Sequence, residues 1–201
     1  MRETYRSEDN KTYWTKRWDS IDADEIMENT EKYPLKYTLE AISLKNENQK
    51  ILEAGCGAGR ILSYLYNKNF NVVGIEFIDS AVKKIKIKNP KQQVYTMDIL
   101  KTTFNDEEFD TILAFGLYHN FQIENFKKSL IETKRILKKN GILCFSFRAD
   151  NIQNLILDFV QKYCGDINDQ NLIKKLILRE DIDIIFHAAA YKHLNFLEKN
   201  P

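Results

Sequence analysis

One short stretch of the sequence combines an acid with alternating glycines. Ile51 and Leu52 are typical of the end of a buried strand, and this apolar run stops at Glu53. The glycines that follow are Gly55, Gly57 and Gly59. They let the backbone turn tightly and approach a ligand closely, and the helix predicted from about Arg60 points its free N–H groups at that ligand. The stretch therefore predicts a strand-turn-helix pocket for a nucleotide.

The spacing of the glycines argues against a dinucleotide. The fingerprint G-x-G-x-x-G, read from Gly55, requires a glycine at position 60, where the chain has Arg60. Read from Gly57, it requires a glycine at position 62, where the chain has Leu62. A pyrophosphate ligand is therefore disfavoured at this turn.

The pattern Glu53-x-Gly55-x-Gly57-x-Gly59 resembles motif I of the class I S-adenosylmethionine-dependent methyltransferases. In that family the loop holds the amino-acid part of the cofactor, and the acid faces its ammonium group. The resemblance implies that S-adenosylmethionine is the cofactor. It also implies cofactor contacts along the whole turn, at Glu53, Ala54, Gly55, Cys56, Gly57 and Gly59.

A second acid follows the next apolar run. Residues 71–76 read as a buried strand that ends at Glu76, about 20 residues after the glycine turn. A carboxylate there can accept hydrogen bonds from both hydroxyls of a ribose. An acid that caps the following helix is the alternative, and Asp79 fits that role better because it directly precedes the run 80–88. We therefore predict that Glu76 and its neighbour Phe77 contact the cofactor.

The third predicted strand, residues 93–97, ends at Asp98 and Ile99. The methyltransferases that the chain resembles commonly place an Asp here, where it accepts from the adenine amino group while the apolar neighbour lies against the ring. By spacing alone, Asp98 is equally suited to a turn. Combined with the glycine loop and Glu76, the resemblance favours adenine contacts for Asp98 and Ile99.

A fourth strand, residues 109–114, is followed by a loop that should border the site of reaction. In open α/β sheets the ligand lies beyond the carboxyl ends of the strands. We predict that Phe115 contacts the cofactor and Tyr118 the substrate. His119 is the candidate catalytic base, because its ordinary pKa near 6.5 suits a hydroxyl or amine acceptor. A surface histidine on a loop is the alternative.

Arg148 follows the fifth predicted strand, residues 142–147. Its guanidinium is suited to an anionic group of the substrate, such as a phosphate or carboxylate. A salt bridge to a nearby acid is the alternative.

These residues need a sheet whose strands all end on one side. The alternation of strands and helices predicts an α/β fold, a Rossmann-like doubly wound, mostly parallel sheet with helices on both faces. The helix 124–138 should connect the fourth strand to the fifth. We divide the chain into an N-terminal helical cap region (1–46), a cofactor-binding core (47–160) and a tail (161–201).

Composition favours a globular protein with a small-molecule substrate. The chain has 201 residues, of which 43% are hydrophobic, and its 30 basic residues nearly balance 29 acidic ones. Without a basic field we expect no nucleic-acid partner. No run approaches about eighteen apolar residues, and the N-terminus lacks a signal peptide, so we expect no membrane partner and a cytoplasmic location. Three scattered cysteines predict reduced, buried thiols. The oligomeric state is not predicted.

Three aromatic residues in the cap region suggest a cover for the core. Trp14 and Trp18, with Tyr13, can share one face of a short helix. They either cover a hydrophobic edge of the core or close over the cofactor.

The tail resembles a different family. Its Gly165-Asp166-Ile167 segment and the stretch 182–193, with His-Ala-Ala-Ala, resemble the extended short-chain dehydrogenase/reductases, and in particular the nucleotide-sugar 4,6-dehydratases of surface polysaccharide synthesis. The family's Tyr-x-x-x-Lys motif and a glycine loop leading into this section are missing. We expect a remnant of a fusion or truncation that either adds the strand 182–186 to the sheet or forms an exposed tail.

The sequence therefore predicts an S-adenosylmethionine-dependent methyltransferase that acts on an oxygen or nitrogen nucleophile of a small molecule. The tail makes a sugar or nucleotide-sugar hydroxyl or amine a candidate acceptor by association. The alternatives are a fragment of an NAD-dependent nucleotide-sugar enzyme and a catalytically silent cofactor-binding module.

Overall fold

The computed structural model describes residues 10–21, 28–147 and 185–189, and a six-stranded parallel sheet organises them. The strands are β1 (Ile51–Ala54), β2 (Val72–Glu76), β3 (Val94–Thr96), β4 (Phe109–Ala114), β5 (Leu137–Phe147) and β6 (Ile185–Ala189). They lie in the order β3-β2-β1-β4-β5-β6, and every neighbouring pair is parallel. The order reverses between β1 and β4, which makes the carboxyl ends of these two strands the topological switch point where ligands bind in such sheets.

The helices pack on both faces of this sheet. They are α1 (Asn10–Asp19), α2 (Leu35–Ser43), α3 (Arg60–Asn67), α4 (Asp79–Lys88) and α5 (Ile123–Ile136). Successive strand residues point to opposite faces, so Ile51 packs in the layer of α2, α3 and α4, whereas Leu52 packs in the layer of α5. Both strand residues are fully buried. The predicted doubly wound α/β fold is confirmed.

Helix α4 begins one residue earlier than the sequence predicts. Asp79 is its first residue, and the residue before it, Ile78, has no side-chain cap. The Asp79 carboxylate instead pairs with Lys83 at 2.6 Å and accepts from Thr96 Oγ1 at 3.0 Å. The prediction that Asp79 caps the helix is wrong, because its carboxylate is engaged by side chains rather than by free backbone N–H groups.

The junction between α5 and β5 also differs from the prediction. The helix ends at Ile136 and the strand begins at once with Leu137, which pairs with Phe109 of β4. The register then shifts, so that Thr111 pairs with Ile142. The intervening residues of β5 bulge out, with Asn140 in the left-handed region at a φ of 59°. The predicted helix end at residue 138 was therefore two residues too late.

A strand from the tail joins the sheet. Residues Ile185–Ala189 form β6, which pairs with β5 from Leu143↔Ile185 to Phe147↔Ala189. The sequence predicted a strand at 182–186, so the element is confirmed and lies three residues further on. The remainder of the tail, including Gly165-Asp166-Ile167 and Cys164, lies outside the described residues, as does Arg148.

Two of the cysteines lie in the part of the chain that the structure describes. Cys56 and Cys144 are buried, free thiols, as predicted.

Within the described ranges, no helix has the length and apolar character needed to cross a membrane. No group of His, Cys, Asp and Glu side chains in these ranges is arranged to hold a metal ion.

Candidate functional site

A cleft of about 760 Å³ lies at the switch point of the sheet. Most of the residues that the sequence predicts to contact the cofactor line it: Glu53, Gly55, Cys56, Gly57, Glu76, Phe77, Asp98, Ile99 and Phe115. Ala54 and Gly59 are not among the residues that line the cleft. Ala54 is fully buried, and Gly59 forms the N-cap of α3. The carboxyl ends of β1, β2, β3 and β4 therefore converge on one cavity.

The glycine turn is tied to the neighbouring strand by its backbone. The N–H groups of Gly55 and Cys56 both donate to the carbonyl of Ile75 in β2, at 2.8 and 3.0 Å. Gly59 has a φ of 77°, in the left-handed region that favours glycine, and its carbonyl accepts from Ser63 in the first turn of α3. The turn thus holds a fixed path from β1 into the helix.

Glu53 carries a buried carboxyl group on the floor of the cleft. The residue is 6% exposed, and its Oε2 has no hydrogen-bond partner among the described residues. The pKa of Glu53 is raised to about 8, mainly by burial. A hydrogen bond from the N–H of Leu62 lowers this pKa, and the nearby charge of Glu76 raises it. A buried acid with an unpaired oxygen is suited to a cationic ligand group, which would supply both the missing hydrogen bond and the compensating charge.

Glu76 supports the glycine turn as well as facing the cleft. Its Oε2 accepts from the N–H of Gly57 and its Oε1 from the N–H of Ile78, both at 3.1 Å. Burial raises the pKa of Glu76, the N–H groups of Ile78, Gly57 and Phe77 lower it, and Asp98 raises it. Each carboxylate oxygen keeps a second lone pair for a ligand hydroxyl. The contact to Ile78 also gives Glu76 a share of the helix-capping role that the sequence assigned to Asp79.

Asp98 forms the turn that the sequence predicts as one of its two alternative roles. Its Oδ1 accepts from the N–H of Leu100 at 2.9 Å, which closes the turn. The residue is also exposed and lines the cleft, and its contact to the adenine stays a prediction. Ile99 beside it is 4% exposed and forms part of the apolar lining.

Residues 52–145 match the family described as Methyltransferase domain. This portion of the chain is a class I methyltransferase domain. Residues 121–201 match a second family, described as Polysaccharide biosynthesis protein, so the two matches overlap over residues 121–145. Both resemblances expected from the sequence are confirmed. The methyltransferase match supports S-adenosylmethionine, the cofactor that the resemblance implies.

Curated relatives carry the same domain. The ubiquinone biosynthesis O-methyltransferase of Rickettsia typhi is 28% identical over 118 residues, which cover 56% of this chain and 47% of the relative. The protein of that name from Rickettsia conorii is 24% identical over 148 residues, which cover 71% of this chain and 50% of the relative. The chain thus spans about half the length of these relatives.

Solved structures share the fold of the methyltransferase domain. An S-adenosylmethionine-dependent methyltransferase from Leishmania major aligns with a TM-score of 0.54 at 16% identity, over 67% of this chain and 59% of that one. Phosphoethanolamine N-methyltransferase 1 of Haemonchus contortus, solved with phosphoethanolamine and S-adenosylhomocysteine, aligns with a TM-score of 0.50 at 22% identity, over 65% of this chain and 30% of that one.

Helix α1 forms the outer wall of the cleft in the methyltransferase domain. Five of its residues line the cavity, and their spacing of i, i+1, i+4, i+7 and i+8 places them on one helical face. They are Asn10, Lys11, Trp14, Arg17 and Trp18. The Trp14 and Trp18 rings stack at 5.5 Å, and the Arg17 guanidinium lies 5.8 Å from the Trp18 ring. The sequence predicts the two tryptophans on this helical face. Lys11 and Arg17 were not predicted, although the same helical period includes them.

The structure does not bring every predicted residue of the methyltransferase domain to the cleft. Tyr118 is 1% exposed, and its hydroxyl shares a hydrogen bond of 3.0 Å with Thr133 Oγ1, while its ring packs against Phe126 and Phe145. This core position does not support the predicted substrate contact. His119 follows in the same 3₁₀ turn, half-buried behind Gly116, and is not among the residues that line the cavity.

A tyrosine that the sequence analysis missed lies beside the cleft. The Tyr33 hydroxyl is 2.6 Å from Ser146 Oγ, which also accepts from the N–H of Gly116 at 3.0 Å. Burial raises the pKa of Tyr33, the hydrogen bond to Ser146 lowers it, and Cys144 raises it. The Tyr33 ring meets Phe115 edge-on at 5.8 Å. Only the folded sheet brings these residues together, so no local sequence signal identifies them.

Proposed function

We propose that this chain transfers a methyl group from S-adenosylmethionine to an oxygen or nitrogen nucleophile of a small molecule. The observation that carries the proposal is the buried carboxyl group of Glu53. Its Oε2 has no partner among the described residues, and Glu53 lines a cleft at the switch point of the sheet. The methionine ammonium of the cofactor has the charge and the donors that this oxygen lacks. We place that ammonium beside Glu53.

The other cofactor contacts follow the strand order. We assign the ribose hydroxyls to the Glu76 carboxylate, which is held by the N–H groups of Gly57 and Ile78. We assign the adenine to Asp98 and Ile99, which follow β3 and line the cleft. In this assignment the three acids, which follow β1, β2 and β3 in turn, meet the methionine, the ribose and the adenine.

Methyl transfer from a sulfonium makes modest chemical demands on a protein. The cofactor supplies an activated methyl group and a neutral leaving group. The chain has to hold the acceptor in line with the methyl group and keep water out. Phe115, Leu117 and Phe121 line the side of the cleft that follows β4, and Trp14 and Trp18 line the outer side. These apolar walls exclude water where the acceptor enters.

We propose a sugar or nucleotide-sugar hydroxyl or amine as the acceptor. The support is the match of residues 121–201 to a polysaccharide biosynthesis family and the joining of β6, from the tail, to the sheet. If the acceptor starts protonated it needs a base. The sequence predicts His119 for that role, but His119 does not line the cleft, so we expect turnover to depend little on it. Arg148 is the candidate for an anionic group of the substrate. We also propose that the chain divides into a cap region (1–46), a cofactor-binding core (47–160) and a tail (161–201).

A calorimetric titration with S-adenosylmethionine, S-adenosylhomocysteine and NAD tests the proposal. We expect both sulfur ligands to bind and NAD to give no heat of binding. NAD binding without a response to the sulfur ligands would overturn the proposed function in favour of a nucleotide-sugar oxidoreductase fragment. Binding of S-adenosylmethionine without methyl transfer to any candidate small-molecule acceptor would instead identify a silent module.

A further inference from the structure

Helix α1 lacks the apolar anchoring that usually holds a helix to a protein. None of its ten residues is buried, although five of them line the cleft. A helix of this length is marginal in isolation and depends on tertiary contacts for its position. The contacts that fix α1 therefore also fix the outer wall of the cofactor cleft.

One side chain makes three of these contacts. The Nζ of Lys84, in α4, donates to the carbonyl oxygens of Trp18 at 2.7 Å, Asp19 at 3.0 Å and Ile21 at 2.8 Å. An ammonium group has three donors, so all of them are used by the last two residues of α1 and by Ile21 just after it. The last carbonyls of a helix lack intrahelical partners and carry partial negative charge, which a cation offsets.

The opposite end of α1 has a contact of its own. Asn10 Nδ2 donates to the carbonyl of Asn120, in the turn that follows β4, at 2.6 Å. The helix therefore crosses the cleft from the β4 loop to α4. Lys84 fixes the end of α1 that carries Trp18.

Helix α4 connects this anchor to the glycine turn. Ile85, next to Lys84, packs on Gly59 so closely that a Cβ there would lie 2.9 Å from Ile85 Cδ1. Trp18, whose carbonyl Lys84 holds, packs on Gly57 in the same turn. Lys84 and Ile85 thus set the position of the helix α1 wall relative to the turn that holds the cofactor.

We propose that Lys84 is a positioning residue that holds Trp18 against the glycine turn and thereby completes the cofactor cleft. This inference rests on the proposed function. Lys84 does not line the cleft, and its loss should leave the sheet and both core layers intact because α1 contributes no buried residue to them. The cofactor affinity should therefore fall while the unfolding temperature is largely retained.

The chain offers a spectroscopic test, because its only two tryptophans are Trp14 and Trp18, both on α1. In Lys84→Met we expect the tryptophan emission to shift to longer wavelength and quenching by acrylamide to increase. The dissociation constant for S-adenosylhomocysteine should rise by about tenfold or more, the equivalent of one hydrogen bond to a charged group. Lys84→Arg keeps a cation with several donors and should restore part of the affinity and the emission.

Lys83→Met is the matched control, since Lys83 is adjacent in α4, is largely exposed and pairs with Asp79 rather than with α1. It should match the wild type in emission and affinity. Wild-type emission and affinity in Lys84→Met would overturn the inference. A wild-type protein that does not bind S-adenosylhomocysteine at all would instead contradict the proposed function, so the two failures are distinguishable.

Discussion

The Trp18 indole lies directly on Gly57, so that a Cβ at position 57 would come within 2.5 Å of Trp18 Cζ2. Gly57 also has a φ of 53°, in the left-handed region, and donates its N–H to Glu76. Because position 57 has no side chain, the turn can adopt its left-handed conformation and Trp18 can pack against the turn. At Gly55 and Gly59, the other glycines of the turn, the atoms nearest to the Cβ position belong to residues outside α1.

Gly57→Ala should destabilise the protein through both backbone strain and the clash with Trp18. We expect the clash part to disappear in the Gly57→Ala/Trp18→Ala double variant, which gives an interaction free energy of about 0.5 to 3 kcal/mol in a double-mutant cycle. Urea denaturation of the four proteins measures it. Gly116→Ala is the control, because Gly116 has a φ of 70° but only His119 Cε1, at 3.9 Å, near its Cβ position. Additive effects at Gly57 and Trp18 would contradict the packing.

Glu76→Ala should weaken cofactor binding by about 1 to 3 kcal/mol, the range for losing hydrogen bonds to a charged group. The substitution removes the ribose acceptor and also releases the N–H groups of Gly57 and Ile78. Glu76→Gln keeps one oxygen and should lose less. Calorimetry with S-adenosylhomocysteine measures both variants against Glu124→Gln, at an exposed acid paired only with Lys127 among the described side chains. Unchanged affinity in Glu76→Ala would show that the ribose lies elsewhere.

The strands and the glycine turn could be predicted from the sequence because their signals are local. An apolar run, an acid and three glycines lie within ten residues, and Glu76 follows the next run of strand type. The doubly wound sheet follows from the alternation of such segments. Each of these inferences depends on neighbours along the chain. Helix α3 and strand β2 lie where the sequence placed them, whereas β1 begins at Ile51 and continues through Glu53 to Ala54.

What the sequence could not predict depends on contacts between distant residues. Lys84 reaches the carbonyl of Trp18 across 66 positions, and Tyr33 reaches Ser146 across 113. Tyr118 follows a strand in a loop that borders the cleft, yet its ring turns into the core beneath α5. The bulge in β5 is set by pairing with β4, so the local helical pattern extended too far.

Tyr118→Phe distinguishes a core tyrosine from a substrate contact. Removing its hydroxyl leaves Thr133 Oγ1 without this buried partner, and we expect a loss of about 1 kcal/mol in the free energy of unfolding. The acceptor KM should not change, because the ring stays in place. In Tyr118→Phe/Thr133→Val both polar groups are gone, and most of the stability should return. A raised KM without a stability loss would restore Tyr118 as a substrate residue.

His119→Gln tests the candidate base. The residue lies behind Gly116 rather than on the cleft surface, so we expect turnover within a few fold of wild type. Gln keeps a comparable size and hydrogen-bonding capacity, which limits structural side effects. A base in the reaction contributes about 10²- to 10⁴-fold, so a loss of that size in the rate with saturating cofactor would place His119 in the mechanism.

Glu53 should make both stability and cofactor binding depend on pH. Its pKa, raised to about 8 in the folded protein, lies above the ordinary value of 4.5, so the folded state holds the proton more tightly than the unfolded chain. Stability from this group is fully present below pH 4.5 and is lost as the pH rises through about 8. Glu53→Gln mimics the protonated acid, and it should therefore become more stable than wild type as the pH rises across this window, by at most about 1.4 kcal/mol per pH unit.

The same pKa makes cofactor binding release a proton. At pH 7 the Glu53 carboxyl group is mostly protonated, and an ammonium beside it favours the ionised form. Wild-type affinity for S-adenosylhomocysteine should therefore rise from pH 6 to pH 7.5, and the heat of binding should vary with the ionisation enthalpy of the buffer. Glu53→Gln should bind S-adenosylhomocysteine more weakly. It should also lose the pH dependence of affinity that the carboxyl group causes. The amine of the ligand titrates with both proteins, so its own contribution to the pH dependence stays the same. An equal proton release by both proteins would place the ammonium away from Glu53.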